Sequence, residues 1–578
     1  MKKDILTTLK EPELTDNALF VLKKRYLKDG ETTKDLFWRV ARNIAQVDMK
    51  YKNHVGNTAI EFYNIMASLE FLPNSPTLLN AGRGLQQLSA CFVLPIEDSL
   101  DSLFTTLKNA VNIQSAGGGT GFNFSRIRPA GDFVGNIPNT AAGPIHYIET
   151  YDTALNRIMQ GRKRHGANIG ILNIDHPNIL DFIELKSTDG RLKNFNISVG
   201  VTDEFMKRVL EKKNHVLVNP RNKDITKRIS AEQLFNKMAE NAWKTGDPGI
   251  IFLDAIQRAN PTPKLADIEA TNPCGEQPLL SYESCNLGSI NLAKMVKCNK
   301  SCTIDWEKLK STVYTAVHFL DNVIDVNKYP LIEIEKMTLG NRKIGLGVMG
   351  FADMLFKLGI AYNSKQGEKT AEKVMKFVSQ QAILSSQELA KDRGVFPNFH
   401  QSIYKTKRRN ATTTTIAPTG SISIIAGCSS GIEPIFSLVT EAMVLFDRDH
   451  KGSRMVMINR HFEEELKKQG LFSKELMTEV AEKGGIQHLD LPSKLKEAFV
   501  TSHDVSPEWH VKIQAAFQKY TDNAVSKTVN FPNNATVEDV KKVYILAWKL
   551  GCKGTTIYRD GSKSEQTLFK GGNNDQKN

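Results

Sequence analysis

Asn272-Pro273-Cys274-Gly275-Glu276-Gln277-Pro278-Leu279 places an amide, a thiol and a carboxylate at alternate positions, Asn272, Cys274 and Glu276. In extended backbone, residues i, i+2 and i+4 point to one side. Two prolines and a glycine disfavour helix here, so the stretch predicts an extended loop tip that presents all three groups together. Cys285 follows 11 residues after Cys274, in Glu283-Ser284-Cys285-Asn286-Leu287. Taken alone, a Cys-Gly-Glu of this kind reads more readily as a turn around a buried cysteine.

Seven cysteines in 578 residues, at 91, 274, 285, 298, 302, 428 and 552, are too few and too scattered for a disulfide scaffold. Such cysteines are catalytic, metal-binding or simply buried. The Cys298-Asn299-Lys300-Ser301-Cys302 pair lacks a second Cys or His pair at zinc-finger spacing and reads as two surface-loop cysteines. The composition, 40% apolar and 24% charged, is that of a globular chain. No apolar run reaches the roughly 18 residues of a membrane span, and Met1-Lys2-Lys3-Asp4 is not followed by the apolar core of a secretory signal. A cytoplasmic location is expected. The net charge of +13 favours anionic ligands without choosing between nucleic acid and small phosphates.

Outward from the Cys274 stretch, strand-like and helix-like segments alternate to about residue 560, which predicts an α/β class. Residues 14–50 predict two helices, with Leu19, Leu22 and Tyr26 on one face and Phe37, Val40, Ile44 and Val47 on the next. Phe71–Asn80 reads as a proline-rich irregular loop, and Leu88–Leu94 as a short strand carrying Cys91. A helix is expected from about Ser99 to Ser115, ended by Gly117-Gly118-Gly119. An exposed loop at 186–191 precedes a strand at 196–201, and an amphipathic helix near 368–393 buries Ala371, Val374, Val378 and Ala382. The tail after Ser562 reads as disordered.

Gly345-Leu346-Gly347-Val348-Met349-Gly350 matches the dinucleotide fingerprint, but no hydrophobic strand directly precedes it, so close helix packing is the expected use of these glycines. In Thr412-Thr413-Thr414-Thr415-Ile416-Ala417-Pro418-Thr419-Gly420-Ser421-Ile422-Ser423, a β-branched run gives a strand and Pro-Thr-Gly a tight turn. Backbone N–H groups and hydroxyls at such a junction suit a phosphate; the alternative is an ordinary polar turn.

Taken together, these stretches resemble the catalytic chain of a ribonucleotide reductase of the adenosylcobalamin-dependent (class II) type. The resemblance is carried, in the family's order, by Ser75–Gly82, Ser89–Phe92, Gly117–Gly121, Asn272–Glu276, Cys285–Leu287, Ile344–Gly350, Ala417–Ser421 and Gly551–Arg559. It implies a ten-stranded α/β barrel (71–562) with a central finger loop, preceded by a helical cap (1–70) and followed by the 563–578 tail. It further implies that Cys274 carries a thiyl radical, Glu276 acts as base, Asn272 positions substrate, and Cys91 and Cys285 form the reducing pair. Substrate contacts implied by the family are Ser75, Ala90, Cys91, Gly119 and Asn272, Pro273, Cys274, Gly275 and Glu276, with the phosphates at Pro418, Thr419, Gly420, Ser421 and Ile422. A deoxynucleoside triphosphate effector would contact Asp98, Ser99 and Arg164 at a homodimer interface, with the 187–195 loop relaying base identity.

The implied reaction is reduction of ribonucleoside diphosphates, or triphosphates, by a thioredoxin-like or other dithiol reductant. Neither nucleic acid nor membrane is an implied partner, and no metal-ligand set is assigned. The tail holds only Tyr558, without the Tyr-Tyr pair of the class that uses a separate metal subunit, and lacks the glycyl-radical motif of the anaerobic class. The radical source implied is therefore the cobalamin coenzyme. The chain starts directly with the helical cap, so regulation through an ATP-cone domain is not expected. No cysteine follows Cys552, so re-reduction is expected to come from a separate cysteine-bearing protein or an external dithiol, unless the chain is truncated. The rival readings are a metal-subunit-dependent reductase large chain and a non-catalytic nucleotide- or nucleic-acid-binding protein.

Overall fold

The structure is a computed structural model that describes residues 8–156, 159–160, 164–187, 190–445, 452–562 and 568–570. The N-terminal region is helical, as its periodicity predicts. Thr15 caps Asp16–Val21, which widens into a π-helical turn at Leu22–Tyr26. Thr32 and Asp35 form a reciprocal capping box at the start of Thr33–Ala45. Phe37, Val40 and Ile44 on that helix join Phe62 of Val55–Ala67 in a core shared with the barrel helix Trp306–Val326.

The barrel is built from β1 (Phe71–Pro73), β2 (Cys91–Val93), β3 (Gly119–Asn123), β4 (Asn168–Asn173), β5 (Phe195–Val201), β6 (Gly249–Phe252), β7 (Ala270–Thr271), β8 (Pro278–Leu279), β9 (Ser284–Asn291), β10 (Ile344–Met349), β11 (Thr528–Phe531) and β12 (Gly554–Arg559). Strands β2 to β6 run parallel in chain order. β6 then meets β12 antiparallel, and β12 pairs with β11 in parallel. On the other side β2 and β1 lie end to end against β9, both antiparallel to it, and β9 pairs with β10 in parallel.

The ladder returns to itself through residues 412–416. Leu346 N–H donates to the Thr413 carbonyl at 2.8 Å and Thr415 N–H to that of Leu346 at 3.0 Å. On its other side Ile416 N–H donates to the Ala524 carbonyl at 3.1 Å, just before β11. Both bridges are parallel, so two parallel blocks of five meet antiparallel at two seams. This is the ten-stranded α/β barrel expected from the resemblance.

Several local expectations are corrected. Phe71–Asn80 is not irregular: after β1, Asn74 Oδ1 accepts from Thr77 N–H at 3.0 Å and starts the helix Ser75–Asn80. Pro76 sits in its first turn, where a missing N–H costs nothing. Only Cys91–Val93 of the expected 88–94 strand is extended. Gly345 and Gly347 do not pack a helix; they lie within β10. A Cβ on Gly347 would come within 2.3 Å of the Thr415 carbonyl, and one on Gly345 within 2.6 Å of Gln277 Nε2. Their use is to bring the wall against its neighbour and against the finger. The helix Leu100–Ser115, capped by Ser99, and the helix Lys365–Arg393 lie close to their expected spans, and the second buries Ala371, Val374, Val378 and Ala382 as expected.

Leu568–Lys570 pairs with 440–442, and the rest of the predicted tail lies outside the described residues. Cys298 and Cys302 face each other on a surface hairpin and are disulfide-bonded. Among the described residues no helix is long and apolar enough to cross a membrane.

Beneath the N-terminal helices lies a buried polar network. Asp321 accepts from Arg342 Nη2 at 2.8 Å, from Asn410 Nδ2 at 2.9 Å and from Arg393 Nη1 at 3.2 Å. Asp48 accepts from Thr58 Oγ1, Asn322 Nδ2 and Arg393 Nη2 at 2.7 to 2.9 Å.

Candidate active site

The β7–β8 hairpin enters the ring, with residues 272–277 as its tip. Its walls are cut to admit it. A Cβ at Gly121 of β3 would lie 1.7 Å from the Thr271 carbonyl, and one at Gly119 would lie 3.1 Å from Pro273 Cγ. Asn196 Nδ2 on β5 donates to the Pro273 carbonyl at 2.9 Å. From the opposite wall Thr415 Oγ1 and Ala524 N–H donate to the Glu276 carbonyl at 2.8 and 2.9 Å. Contacts from both parallel blocks therefore hold the tip at the centre.

The tip is a turn and not the extended backbone expected. Gly275 N–H donates to the Asn272 carbonyl at 3.0 Å, and Gly275 has a φ of 80°, which glycine adopts without a Cβ penalty. Asn272 Oδ1 closes the turn by accepting from Gln277 N–H at 2.9 Å. The turn splits the three groups: Asn272 and Glu276 are buried, whereas Cys274 is exposed. A turn around a buried cysteine, the alternative reading of the stretch, is not what is found.

Cys91 and Cys285 occupy directly opposed positions on β2 and β9. Opposed positions on antiparallel strands hold their Cβ atoms about 4.5–5.5 Å apart, near the separation that a disulfide bridges after a small shift. Both are thiols here. Asn272 Nδ2 lies 3.1 Å from Cys91 Sγ, and Glu276 Oε1 lies 4.0 Å from it. Fingertip and dithiol pair thus meet in one buried cluster.

The electrostatics follow from burial. Desolvation pushes the Glu276 carboxyl up to about 7 against the hydrogen bond from Asn272. Burial also raises Cys91, reinforced by Glu276, Cys285 and Cys274, with Asn272 opposing. Burial raises Cys285, and Lys343 opposes it. Lys343 Nζ is paired with Glu283 at 2.5 Å, both buried. Glu276 Oε2, Asn286 Oδ1 and both side-chain polar atoms of Gln277 are buried without a hydrogen-bond partner. Such groups are costly unless a ligand satisfies them.

Cys274 opens onto a cavity of about 1200 Å³ shared with Pro273 and Gly275 and walled by β5, β6, β12 and residues 423–430. Of the other predicted contacts, Gly119 stands against Pro273 of the finger, and Ala90 adjoins the dithiol pair. Gly119 pairs with Cys91 across β2–β3, and Ala90 N–H donates to the Cys285 carbonyl at 3.1 Å. The Pro418–Ile422 turn follows directly on the 412–416 strand. Thr419 there has a φ of 54° and its Oγ1 accepts from Gly431 N–H at 2.7 Å. Ser75 Oγ lies 2.7 Å from Tyr26 Oη.

Asp98 and Ser99 stand apart from this cluster. Asp98 is paired with Arg128 Nε at 2.7 Å, and Ser99 caps Leu100–Ser115. Arg164 lies in the short strand Arg164–His165, its side chain outside the described residues, as are 161–163 and 188–189 of the loops expected to serve the effector. The sequence reading missed Gln277, Thr415 and the Lys343–Glu283 pair. Gln277, Thr415 and Glu283 each lie within a stretch that the reading had already singled out, but with no role assigned to them.

Comparison with known proteins gives a consistent result. A family model described as ribonucleotide reductase, barrel domain, matches residues 89–408 and 402–558, and one described as ribonucleotide reductase, all-alpha domain, matches 12–86. A vitamin B12-dependent ribonucleoside-diphosphate reductase of Thermoplasma acidophilum is 46% identical over 99% of this chain and 82% of its own length. A protein of the same name from Mycobacterium tuberculosis is 44% identical over 98% of this chain and 82% of its own. Among solved structures, the Actinobacillus ureae class Id ribonucleotide reductase alpha subunit superposes with a TM-score of 0.79 at 25% identity, covering 96% of this chain and 99% of that one.

Proposed function

The chain belongs to the ribonucleotide reductases, and from that premise we propose that it reduces ribonucleoside diphosphates to 2′-deoxyribonucleotides with adenosylcobalamin as radical source. The observation that carries this reading is the buried meeting of Cys91, Cys285, Asn272 and Glu276 beside a fingertip that presents Cys274. The cofactor follows the two relatives above, whose names state B12 dependence at 46% and 44% identity, against 25% to the class Id alpha subunit.

The residues present fit that cofactor. The cavity beside Cys274 exceeds the 300–1,000 Å³ typical of pockets for drug-sized ligands, which suits a corrin. Ser429 and Ser502 line it with hydroxyls buried without a partner, and with Lys527, Lys553 and Tyr558 they would hold the group. Adenosylcobalamin supplies a carbon radical when bound.

The chain's own residues do the rest. As a thiyl, Cys274 takes the 3′-hydrogen of the ribose. Glu276, poised near neutrality, accepts the 3′-hydroxyl proton, and Asn272 orients the sugar. Cys91 protonates the 2′-hydroxyl, which leaves as water. Cys91 and Cys285 together give two electrons and close a disulfide, their second thiol hydrogen passing to C2′; Glu276 gives its proton back to the 3′-oxygen, and Cys274 returns a hydrogen to C3′. Ser75, Ala90 and Gly119 contact the nucleoside, and the 418–422 turn receives the phosphates.

A thioredoxin-like or other dithiol then reopens the disulfide, which places the enzyme in a reducing compartment, the cytoplasm. A deoxynucleoside triphosphate binds near Asp98, Ser99 and Arg164 at a homodimer interface. The helix Leu100–Ser115 supports that interface, because Leu100 and Phe104 on one stripe are 64% and 54% exposed.

The test is dCDP formation from CDP by the purified chain with adenosylcobalamin and dithiothreitol, no second subunit added. Turnover that requires the coenzyme and vanishes in C274S is expected. Turnover only with an added metal subunit would overturn the cofactor assignment, and full turnover by C274S the mechanism. C91S and C285S should form no dCDP even with dithiol reductants, because a single remaining thiol cannot close the disulfide that supplies the two electrons.

A further inference from the structure

We propose that Arg25, carried by the N-terminal helical region, is a ligand of the substrate's phosphate group; this deepens the reading above and rests on it. The Pro418–Ile422 turn contains no charged residue, and the helix it leads into, Ile422–Ala426, has only five residues. So short a helix supplies little end charge of its own, and a nucleotide's phosphates need a cation from elsewhere.

Arg25 is in place. Its Nη1 donates to Ser421 Oγ at 3.2 Å. Ser421 makes no side-chain cap on the helix that follows it, so its hydroxyl serves the guanidinium instead. Beside it, Gly420 has no atom within 4 Å of where a Cβ would stand, which leaves room for a ligand at the turn. A guanidinium holds phosphate through paired N–H groups, which a lysine ammonium cannot reproduce.

A second contact points to the same place. Tyr26, the next residue, meets Ser75 Oγ at 2.7 Å, and Ser75 is another side chain assigned to substrate outside the finger. Arg25 and Tyr26 end the π-helical turn Leu22–Tyr26, a rare geometry that recurs at functional sites. One wide turn of the N-terminal region thus reaches two substrate-facing elements that the barrel supplies from distant parts of the chain.

The rival is a staple that merely docks the N-terminal region on the barrel. The variants R25A, R25Q and R25K separate the two, with KM and kcat measured for CDP and the inhibition constant for pyrophosphate. R25Q keeps a donor towards Ser421 and loses the charge. We expect R25A and R25Q to raise the KM for CDP about ten- to a hundredfold, as for loss of a charge-assisted bond, with kcat within about twofold. Pyrophosphate inhibition should weaken in parallel, and R25K, which keeps the charge without the paired donors, should recover only part of the loss. An R25Q enzyme with wild-type KM overturns the proposal in favour of the staple. Should R25A not fold, R25Q and R25K carry the comparison. Calorimetry on the cofactor-free chain separates the two readings even if the wild type makes no dCDP, a result that would count against the proposed function. R25Q should weaken CDP binding and leave cytidine binding unchanged; equal effects on both overturn the proposal.

Discussion

Two buried polar clusters in this molecule are built on opposite principles. Beneath the N-terminal helices, Asp321 is surrounded by Arg342, Arg409 and Arg393, which overcome burial and hold its carboxyl down at about 2. At the fingertip Glu276 is just as buried, but with no cation to offset desolvation its carboxyl rises to about 7. The first cluster pairs its acids and joins two regions of the chain. The second leaves Glu276 Oε2 and both polar ends of Gln277 unpaired, so its polar groups await a substrate. A carboxylate locked in its charged form makes a rivet, and one balanced near neutrality makes a base.

The largest effect that bears on this contrast is at Cys274. C274S should reduce turnover at least about 10³-fold while moving stability by no more than about 0.5 kcal/mol, the usual limit for an exposed site. Steady-state assay and chemical denaturation check the two halves. E276Q should lower kcat by about 10²–10⁴, and wild-type kcat should rise with pH through about 7 as Glu276 ionises.

E276Q should also stabilise the fold, because the raised carboxyl opposes folding once pH exceeds its unfolded value. The gain is absent below about 4.5, grows as pH rises and is complete above about 7, on the order of 3 kcal/mol. Denaturation of both proteins across that range measures it, and an advantage of E276Q over wild type no larger at pH 8 than at pH 4 would break the comparison. D321N should do the reverse, costing about 3–5 kcal/mol by stranding buried arginines while kcat per folded molecule stays near wild type. The smallest effect is expected at the surface. F104D should shift the chain from dimer towards monomer in sedimentation and blunt its response to deoxynucleoside triphosphates, with basal turnover changed less than about twofold.

How much of this was legible depended on whether the signal was local. The β-branched run 412–416 and the periodic helix expected near 368–393 announce themselves in their own residues, and each lies where its pattern predicts. The meeting of Cys91 and Cys285 was reached through the family resemblance, since nothing in the spacing alone makes β2 oppose β9. The errors arose where tertiary packing overrode a local rule. Alternation in 272–276 predicted one shared face, but Gly275 turns the backbone and sends Cys274 to the cavity. The glycines of 345–350 were assigned to helix packing, because nothing in their own segment reveals a finger standing beside them. Arg25 gave no signal, being one of three consecutive basic residues in a helical stretch.

The bare stretches of wall at Gly121 and Gly347 have a consequence for how such a barrel can be altered. A single methyl at residue 121 would overlap the finger's backbone, so it would act as a shim and tilt the hairpin on which the sulfur rides. Reactions that need atoms aligned to within an ångström do not survive that displacement. Anyone wishing to re-aim the thiol towards a different carbon of the sugar would therefore begin by resizing these gaps in the staves, leaving the catalytic side chains untouched.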